Sequence, residues 1–308
     1  MSGQSWSSIA ITMYLLCVAS RIACAEDSLA KLRSLLAEIA CNAPSNSASG
    51  NIANEGNFTR AECSVPTHPV GPVLRLANLS LVRLRNDIRD YTCTVERRER
   101  VNGHLNAPET FFVKLRHEEF HPEVESTPFS VYMRFDAPAR LAGREILFST
   151  KADDQRLLVR NGGLRLSFLT LHLEPDCPLA MNGNLYPITE FGIARLIERM
   201  LELGKQELAF AECEVKAKLD CEVDQRPCTQ IEVFHPVYRA QFRYHLVRIY
   251  IDNESLLPIR FESFDWPKAP GEEPILNEQY TYREVQLNVG LTDDDFDRSN
   301  PAYRFSKK

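Results

Sequence analysis

One stretch of this chain has the spacing of a known catalytic motif: His117-Glu118-Glu119-Phe120-His121, a literal H-E-x-x-H. On a helix that spacing stacks two imidazoles one turn apart. Both then bind zinc, and the glutamate acts as base toward metal-bound water. Here the motif ends a run of strand period (TFFVKLR) and abuts Pro122, which disfavours helical geometry at His121. Along a strand, residues four apart share a face but lie roughly 13 Å from each other, at about 3.3 Å per residue. No third ligand motif follows on a helix. The expectation is therefore a solvated loop end, with no metal site.

Other chemistry is equally thin. The chain has no G-x-S-x-G elbow, no P-loop and no G-x-G-x-x-G, so the usual oxyanion and phosphate elements are missing. Glu96, Glu99, Glu145 and Asp265 can be drawn as acid–base pairs, but among 42 acidic residues a pair picked by eye carries no information. His235-Pro236 ends a strand, and His245 reads as a solvated strand position. Arg97-Arg98-Glu99-Arg100 reads as a solvated strand face rather than an anion site. Asn57, Asn78 and Asn253 begin N-x-S/T triplets, which are glycosylation acceptors only in a eukaryotic host. No catalytic, metal-ligating or cofactor-binding residue is assigned, and no cofactor is expected.

A formal net charge of −6 excludes the basic face of a nucleic-acid binder. Charged residues at 25% and hydrophobic ones at 44% are ordinary for a globular chain. Ile9 to Ser20 is an apolar run too short to span a bilayer and right for the core of a signal peptide. Ala23-Cys24-Ala25 supplies an A-x-A-like cleavage site, so residues 1–25 are expected to be a signal peptide and the protein to be exported, periplasmic or extracellular. Arg21 and Ile22 stand where a lipobox needs other residues, against acylation at Cys24. No other run reaches spanning length, so no transmembrane anchor is expected.

Removing Cys17 and Cys24 from the nine cysteines leaves seven, an odd number that forbids complete internal pairing in an oxidising compartment. Cys213, Cys221 and Cys228 fall within one apparent hairpin. With its turn at Asp224-Gln225, Cys221 lies opposite Cys228, and Pro227 takes a non-hydrogen-bonded position. Cys221 and Cys228 are thus a disulfide candidate, though a hydrogen-bonded pair is the poorer geometry for one. Buried free thiols are the other reading.

These residues must be positioned by the elements around them. Leu29, Leu32, Leu35, Leu36 and Ile39 have helical spacing, predicting a short helix within 26–41. Residues 42–70, rich in Ser, Asn, Gly and Pro, read as a flexible linker. A second amphipathic helix is predicted over 73–89. From Tyr91 the period is two: strands are predicted over 91–101, 110–120, 129–135, 145–150, 156–159 and 164–173. A helix capped by Thr189 runs to Gly204, and strands return over 213–219, 226–234, 242–251, 259–264 and 278–287. Many successive strands with few helices predict an α+β fold, mainly β: one domain over 71–305 built on a strongly curved antiparallel sheet, an unclosed barrel lidded by amphipathic helices. Phe111, Phe112, Phe168, Leu169, Leu171, Leu173, Leu179 and Met181 can line an apolar cavity on its concave side, with Phe111, Phe168, Leu171, Leu179 and Met181 its chief candidates. A plain packed core explains the same residues.

Several phrases together resemble an uncharacterised secreted bacterial family, the domain of unknown function 1571. They include Asp90-Tyr91-Thr92-Cys93-Thr94, Glu99-Arg100-Val101-Asn102-Gly103, Phe129-Ser130-Val131-Tyr132-Met133 and Gly183-Asn184-Leu185-Tyr186-Pro187-Ile188-Thr189. Leu257-Pro258-Ile259-Arg260-Phe261-Glu262, Asp265-Trp266-Pro267 and Leu287-Asn288-Val289-Gly290-Leu291-Thr292-Asp293 continue the match, which covers about 75–305. Against the family pattern, Glu119–Thr127 looks inserted, which makes the H-E-x-x-H an accident of that insertion. Asp224-Gln225 replaces a hairpin Asn-Gly, so a different turn type is expected. More distantly, the layout resembles the periplasmic lipoprotein carriers, whose half-barrels hold acyl chains. That resemblance covers architecture only. The signal peptide, the strand meander with two amphipathic helices and the missing catalytic motifs point to an exported, non-enzymatic protein binding a lipid, an acylated protein or another apolar ligand. The alternative is an envelope structural or protein-interaction module that uses 42–70 as a tether, and a hydrolase comes third.

Overall fold

The computed structural model describes residues 68–119, 126–151, 155–162, 169–210 and 212–305, with Ala30, Ser34, Leu35 and Ile39. The signal peptide, nearly all of the linker, Phe120, His121, Phe168, Cys41 and Cys63 lie outside them. So does most of the helix expected over 26–41, of which the four described residues are helical and Ile39 is buried in the core.

Helix α1 (Gly71–Asp87) starts with Pro72 in its first turn, where a missing N–H does no harm, and buries Val73, Leu76, Leu81 and Leu84. After it comes a meander: β1 (Asp90–Val101), β2 (His104–Leu105), β3 (Glu109–Arg116), β4 (Ser130–Ala137), β5 (Glu145–Ser149), β6 (Leu157–Arg160) and β7 (Thr170–Leu173). Helix α2 (Ile193–Glu207) intervenes. Then β8 (Glu214–Val223), β9 (Arg226–Phe234), β10 (Leu246–Asp252), β11 (Pro258–Asp265) and β12 (Ile275–Leu287) complete the chain's strands. All pair antiparallel in the order β7-β6-β5-β4-β3-β1-β12-β11-β10-β9-β8, with β2 attached to β1. The sheet is unclosed, as its two ends, β7 and β8, do not meet. Joining β1 to β12 closes the longest loop in the fold and makes one sheet of two meanders.

Side-chain alternation then sorts the residues. Val95, Phe111, Met133, Ile231, Ile249, Phe261, Tyr280 and Tyr282 belong to one core with α1 and α2. On the opposite face, Tyr132 and Leu147 pack with Phe296, Tyr303 and Phe305 of the C-terminal segment. That segment is held by Asp293 to Arg116 (2.7 Å) and Lys151 (2.9 Å), and by Asp295 to Lys114 (2.7 Å). Tyr303 stacks on Tyr132 with ring centroids 3.9 Å apart.

Several expectations change, among them the solvated strand position expected of His245, which is buried and stands just before β10. The strand predicted to reach Phe120 ends at Arg116. Phe242 stands before β10, which begins at Leu246, because it turns out of the sheet to stack on His235 (4.1 Å). The mid-chain helix starts at Ile193, not behind Thr189. Thr189 sits in a short 3-10 turn (Ile188–Glu190), and Gly192 (φ 112°) makes the corner into α2. A Cβ there would lie 2.7 Å from Leu115 Cδ1 and 3.0 Å from Tyr91 Oη, so both conformation and space require glycine. Finally, the β8–β9 turn keeps the left-handed pair of a type I′ hairpin despite lacking glycine, with φ of 53° at Asp224 and 61° at Gln225. The Glu284 N–H donates to Asp224 Oδ2 (3.1 Å), a contact with β12 that holds this turn.

Candidate functional site: an apolar cleft under two helices

The two helices lie side by side over β9, β10 and β11. Gly204 of α2 brings them close: a Cβ at that position would meet Leu74 Cδ2 at 2.5 Å. Polar links hold α1 from below and beside. Ser80 Oγ donates to the Leu256 carbonyl (3.3 Å), Arg83 donates to the Ser255 carbonyl, and Arg85 pairs with Glu198 of α2 (2.6 Å). At the other end, α2 begins under Tyr91, whose hydroxyl accepts the Ile193 N–H (3.1 Å).

Between helices and sheet remains a cleft of about 70 Å³. Its walls are Val73, Leu76 and Ala77 from α1, Ile197, Met200 and Leu203 from α2, and Ile231, Val233, Ile249 and Phe261 from the sheet. Polar side chains enter the lining at Ser80, Glu207, His235 and Tyr244. The hydroxyls of Ser80 and Tyr244 are spoken for, the second by Glu278 (2.6 Å). Glu207 and His235 stand together at one corner, Oε2 to Nε2 3.4 Å. Cys213, buried, is close enough to Glu207 to feel its charge. Burial, with that charge adding, pushes its thiol up to about 11, so it stays protonated at neutral pH.

Beside the cleft the concave face turns polar. Glu99 of β1 and Glu278 of β12 are register partners, 3% and 2% exposed. Glu99 accepts from the Tyr280 hydroxyl and the Leu185 N–H (3.0 Å), and Glu278 Oε1 accepts from Tyr244, Ser263 (3.1 Å) and Tyr186 (3.3 Å). Burial first, then the neighbouring carboxylates, push the hydroxyls of Tyr186, Tyr244 and Tyr280 upward. These phenols therefore remain donors. The cluster docks the 183–189 loop on the sheet, a fastening role for Glu99 and for Glu278 Oε1, whereas Glu278 Oε2 is buried without a hydrogen-bond partner among the described residues.

The sequence candidates are dispersed. Phe111 is 0% exposed and packs against Phe135 (4.7 Å) and Phe191 (6.0 Å) in the core. Leu171 is half-buried on β7, while Leu179, 58% exposed, and Met181 face a surface depression beside the β1–β2 turn. The structure does not bring these four together, and Phe168 lies outside the described residues. Glu96, Glu145 and Asp265 also stand apart from Glu99. Glu96 pairs with Arg283 (3.0 Å) and Glu145 accepts from Tyr132 (2.8 Å) on the outer face, while Asp265 caps the Trp266 N–H (2.8 Å). Arg97 points inward to Glu109 (2.5 Å), and Arg98 and Arg100 donate to backbone carbonyls.

In the H-E-x-x-H stretch, Glu119 bridges to Thr127 in an antiparallel pair, so the backbone is extended where a zincin needs a helix. His117 is inserted beside Tyr91, and burial lowers its imidazole to about 4, leaving it neutral. Cys221 and Cys228 face each other across the hairpin as the turn position requires, and both are free thiols. Their sulfurs turn to different partners, Cys228 to the Arg226 carbonyl (3.0 Å) and Cys221 to Gln230 (3.7 Å).

Sequence reading missed Glu207, His235 and Glu278. For Glu278 a signal existed: period two along β12 puts it on the face of Tyr280 and Tyr282. For Glu207 and His235 none did, because nothing local places the end of α2 over the end of β9.

Among solved structures, the chain is similar in fold to a DUF1329 family protein from Desulfovibrio piger, at 14% identity, 73% of this chain, 98% of that one and a TM-score of 0.36. MucB matches at 14% identity over 73% of this chain and 62% of that one, with a TM-score of 0.42. A LolA superfamily protein from Nitrosomonas europaea matches at 12% identity over 73% and 97%, with a TM-score of 0.30. No curated protein sequence matches. The sequence phrases spread from β1 to the C-terminal segment all lie in one continuous match, to residues 88–305, and the chain belongs to the family described as "Protein of unknown function (DUF1571)".

Proposed function

We propose that this chain is an exported binding protein whose cleft between α1, α2 and β9–β11 holds the apolar chain of a lipid or an acylated protein. One observation carries the reading: the space under the helices is walled by aliphatic and aromatic side chains, with its polar groups confined to Ser80, Tyr244 and the Glu207–His235 corner. A volume of about 70 Å³ is well below the roughly 300–1,000 Å³ of a ligand-filled pocket, so this is the closed form, and uptake requires α1 to lift. Among the fastenings of α1, those of Ser80 and Arg83 go to the carbonyls of the Ser255–Leu256 loop, which can be released without disturbing the sheet. The apolar residues 9–20 and the A-x-A-like Ala23-Cys24-Ala25 support export.

Titration with an uncharged fluorescent apolar probe tests the reading. The chain takes up one equivalent, and Ala77→Phe, which places a phenyl ring in the cleft, abolishes uptake while keeping the fold. Equal uptake by both forms, or uptake by neither, refutes it. Export is tested by sequencing the amino terminus of the protein recovered from the cell that makes it, which is expected to start at Glu26.

A further inference from the structure

The one charged corner of the cleft has an unmet hydrogen-bonding demand. His235 is 1% exposed, and its Nδ1 lies 2.9 Å from the Tyr244 carbonyl. A carbonyl can only accept, so Nδ1 carries a proton, and in that tautomer Nε2 presents a lone pair. That nitrogen is buried without a hydrogen-bond partner among the described residues. It faces Glu207 Oε2 at 3.4 Å, longer than the roughly 2.7–2.9 Å of an imidazolium–carboxylate bond. Two acceptors thus converge at the end of an apolar cleft, with no donor between them among the described residues. Phe242, stacked on the imidazole, and Phe210, edge-on to Phe242 (6.0 Å), wall off the outside. The nearby Cys213 thiol is neutral and adds no charge of its own to the corner.

From this geometry we infer that the cleft selects apolar ligands whose polar head donates hydrogen bonds, an alcohol, amide or amine, and rejects free carboxylates. The inference rests on the proposed binding function and specifies its ligand class. A hydroxyl or N–H seated at the corner satisfies the acceptors and relieves an unpaired buried group. A carboxylate seated there brings a second anion against Glu207 in a poorly screened site and supplies no donor. The discrimination comes from repulsion as much as from attraction, and Glu207 is the residue that sets it.

Displacement of the uncharged probe by dodecan-1-ol and by dodecanoate, at about pH 8 where the acid is ionised, tests the inference. Matched chain lengths keep the apolar contribution constant. The wild-type chain is expected to prefer the alcohol by about tenfold or more, and Glu207→Gln to bring the ratio within about threefold by tightening dodecanoate. Equal affinities in the wild type, or an unchanged ratio in Glu207→Gln, overturn it. The wild-type ratio stands as a test even if the variant fails to fold. If the probe binds and the ratio is flat, the selectivity is wrong and the binding function survives. If neither the probe nor the ligands bind, both fall.

Discussion

Tyr91→Phe isolates the anchor that fixes α2 over the sheet. Tyr91 is 1% exposed, and its hydroxyl accepts the N–H of Ile193, the first residue of α2, itself 0% exposed. Gly192, with φ of 112°, turns the chain so that this N–H points at the phenol, within a space too tight for any Cβ. Burial pushes the Tyr91 hydroxyl well above its ordinary value, so it remains un-ionised at any pH where the chain is folded. Phenylalanine keeps the ring, its contact with His117 and the core volume, so no cavity term enters. What is lost is one acceptor, leaving a buried N–H unpaired, a loss of about 1–3 kcal/mol. Taking the middle of that range, about 2 kcal/mol lowers Tm by roughly 4–8 °C for a domain of this size. Urea unfolding followed by far-UV circular dichroism measures it, with the midpoint moving and the m-value unchanged. A change under about 0.5 kcal/mol, the level of an ordinary surface substitution, would refute the claim that this bond caps α2.

Three further outcomes follow from the same structure. His117 is held neutral with its value down to about 4, below the unfolded value of roughly 6.5, so its stabilisation is complete above the unfolded value and is lost as pH falls from there toward 4. Substituting His117→Phe flattens the stability-against-pH curve in that window, and an unchanged slope counts against the burial assigned to it. At Gly204, alanine gains about 1 kcal/mol of helix propensity and displaces only the tip of Leu74, so its stability stays within roughly 1 kcal/mol of wild type. Gly204→Phe pushes α1 away and speeds probe uptake in stopped-flow mixing; slower or unchanged uptake contradicts the lid assignment. Asp293 is held below the ordinary carboxylate range by Lys151 and Arg116, so the C-terminal segment is secured above that range and loosens as pH falls through the lowered value. Asp293→Asn lowers global stability by less than about 1 kcal/mol but hastens proteolysis near residues 298–304; equal cleavage rates would show that the segment is held by its aromatic contacts alone.

Much of the fold was legible because its cause is local. Period-two alternation marked most of the strands, and the turn at Asp224-Gln225 set the register that faces Cys221 with Cys228. The turn type was not legible, since its left-handed pair is supported by a bond from Glu284 on another strand. The start of α2 was misplaced for a similar reason: Thr189 has the chemistry of a cap, but the acceptor used is a phenol 102 positions away. The cleft was the least legible element. Its walls come from α1, α2 and three strands of the second meander, while the expected lining was drawn from β3 and the segments before α2. Those residues are as apolar as the real lining, and sequence carries no sign of which apolar face the helices will leave unfilled. Glu99 and Tyr280 meet across 181 positions because β1 pairs with β12, a pairing that neither strand announces.

The central claim is that the cleft under α1 and α2 holds an apolar molecule. Native mass spectrometry of the protein purified from the cell that makes it, beside Ala77→Phe purified in the same way, tests this most directly. The account predicts one added mass on the wild-type chain, released by organic solvent and identified as a lipid or acyl species, and no such mass on the variant. A wild-type chain that flies at its bare polypeptide mass, or an adduct retained in full by Ala77→Phe, would contradict it.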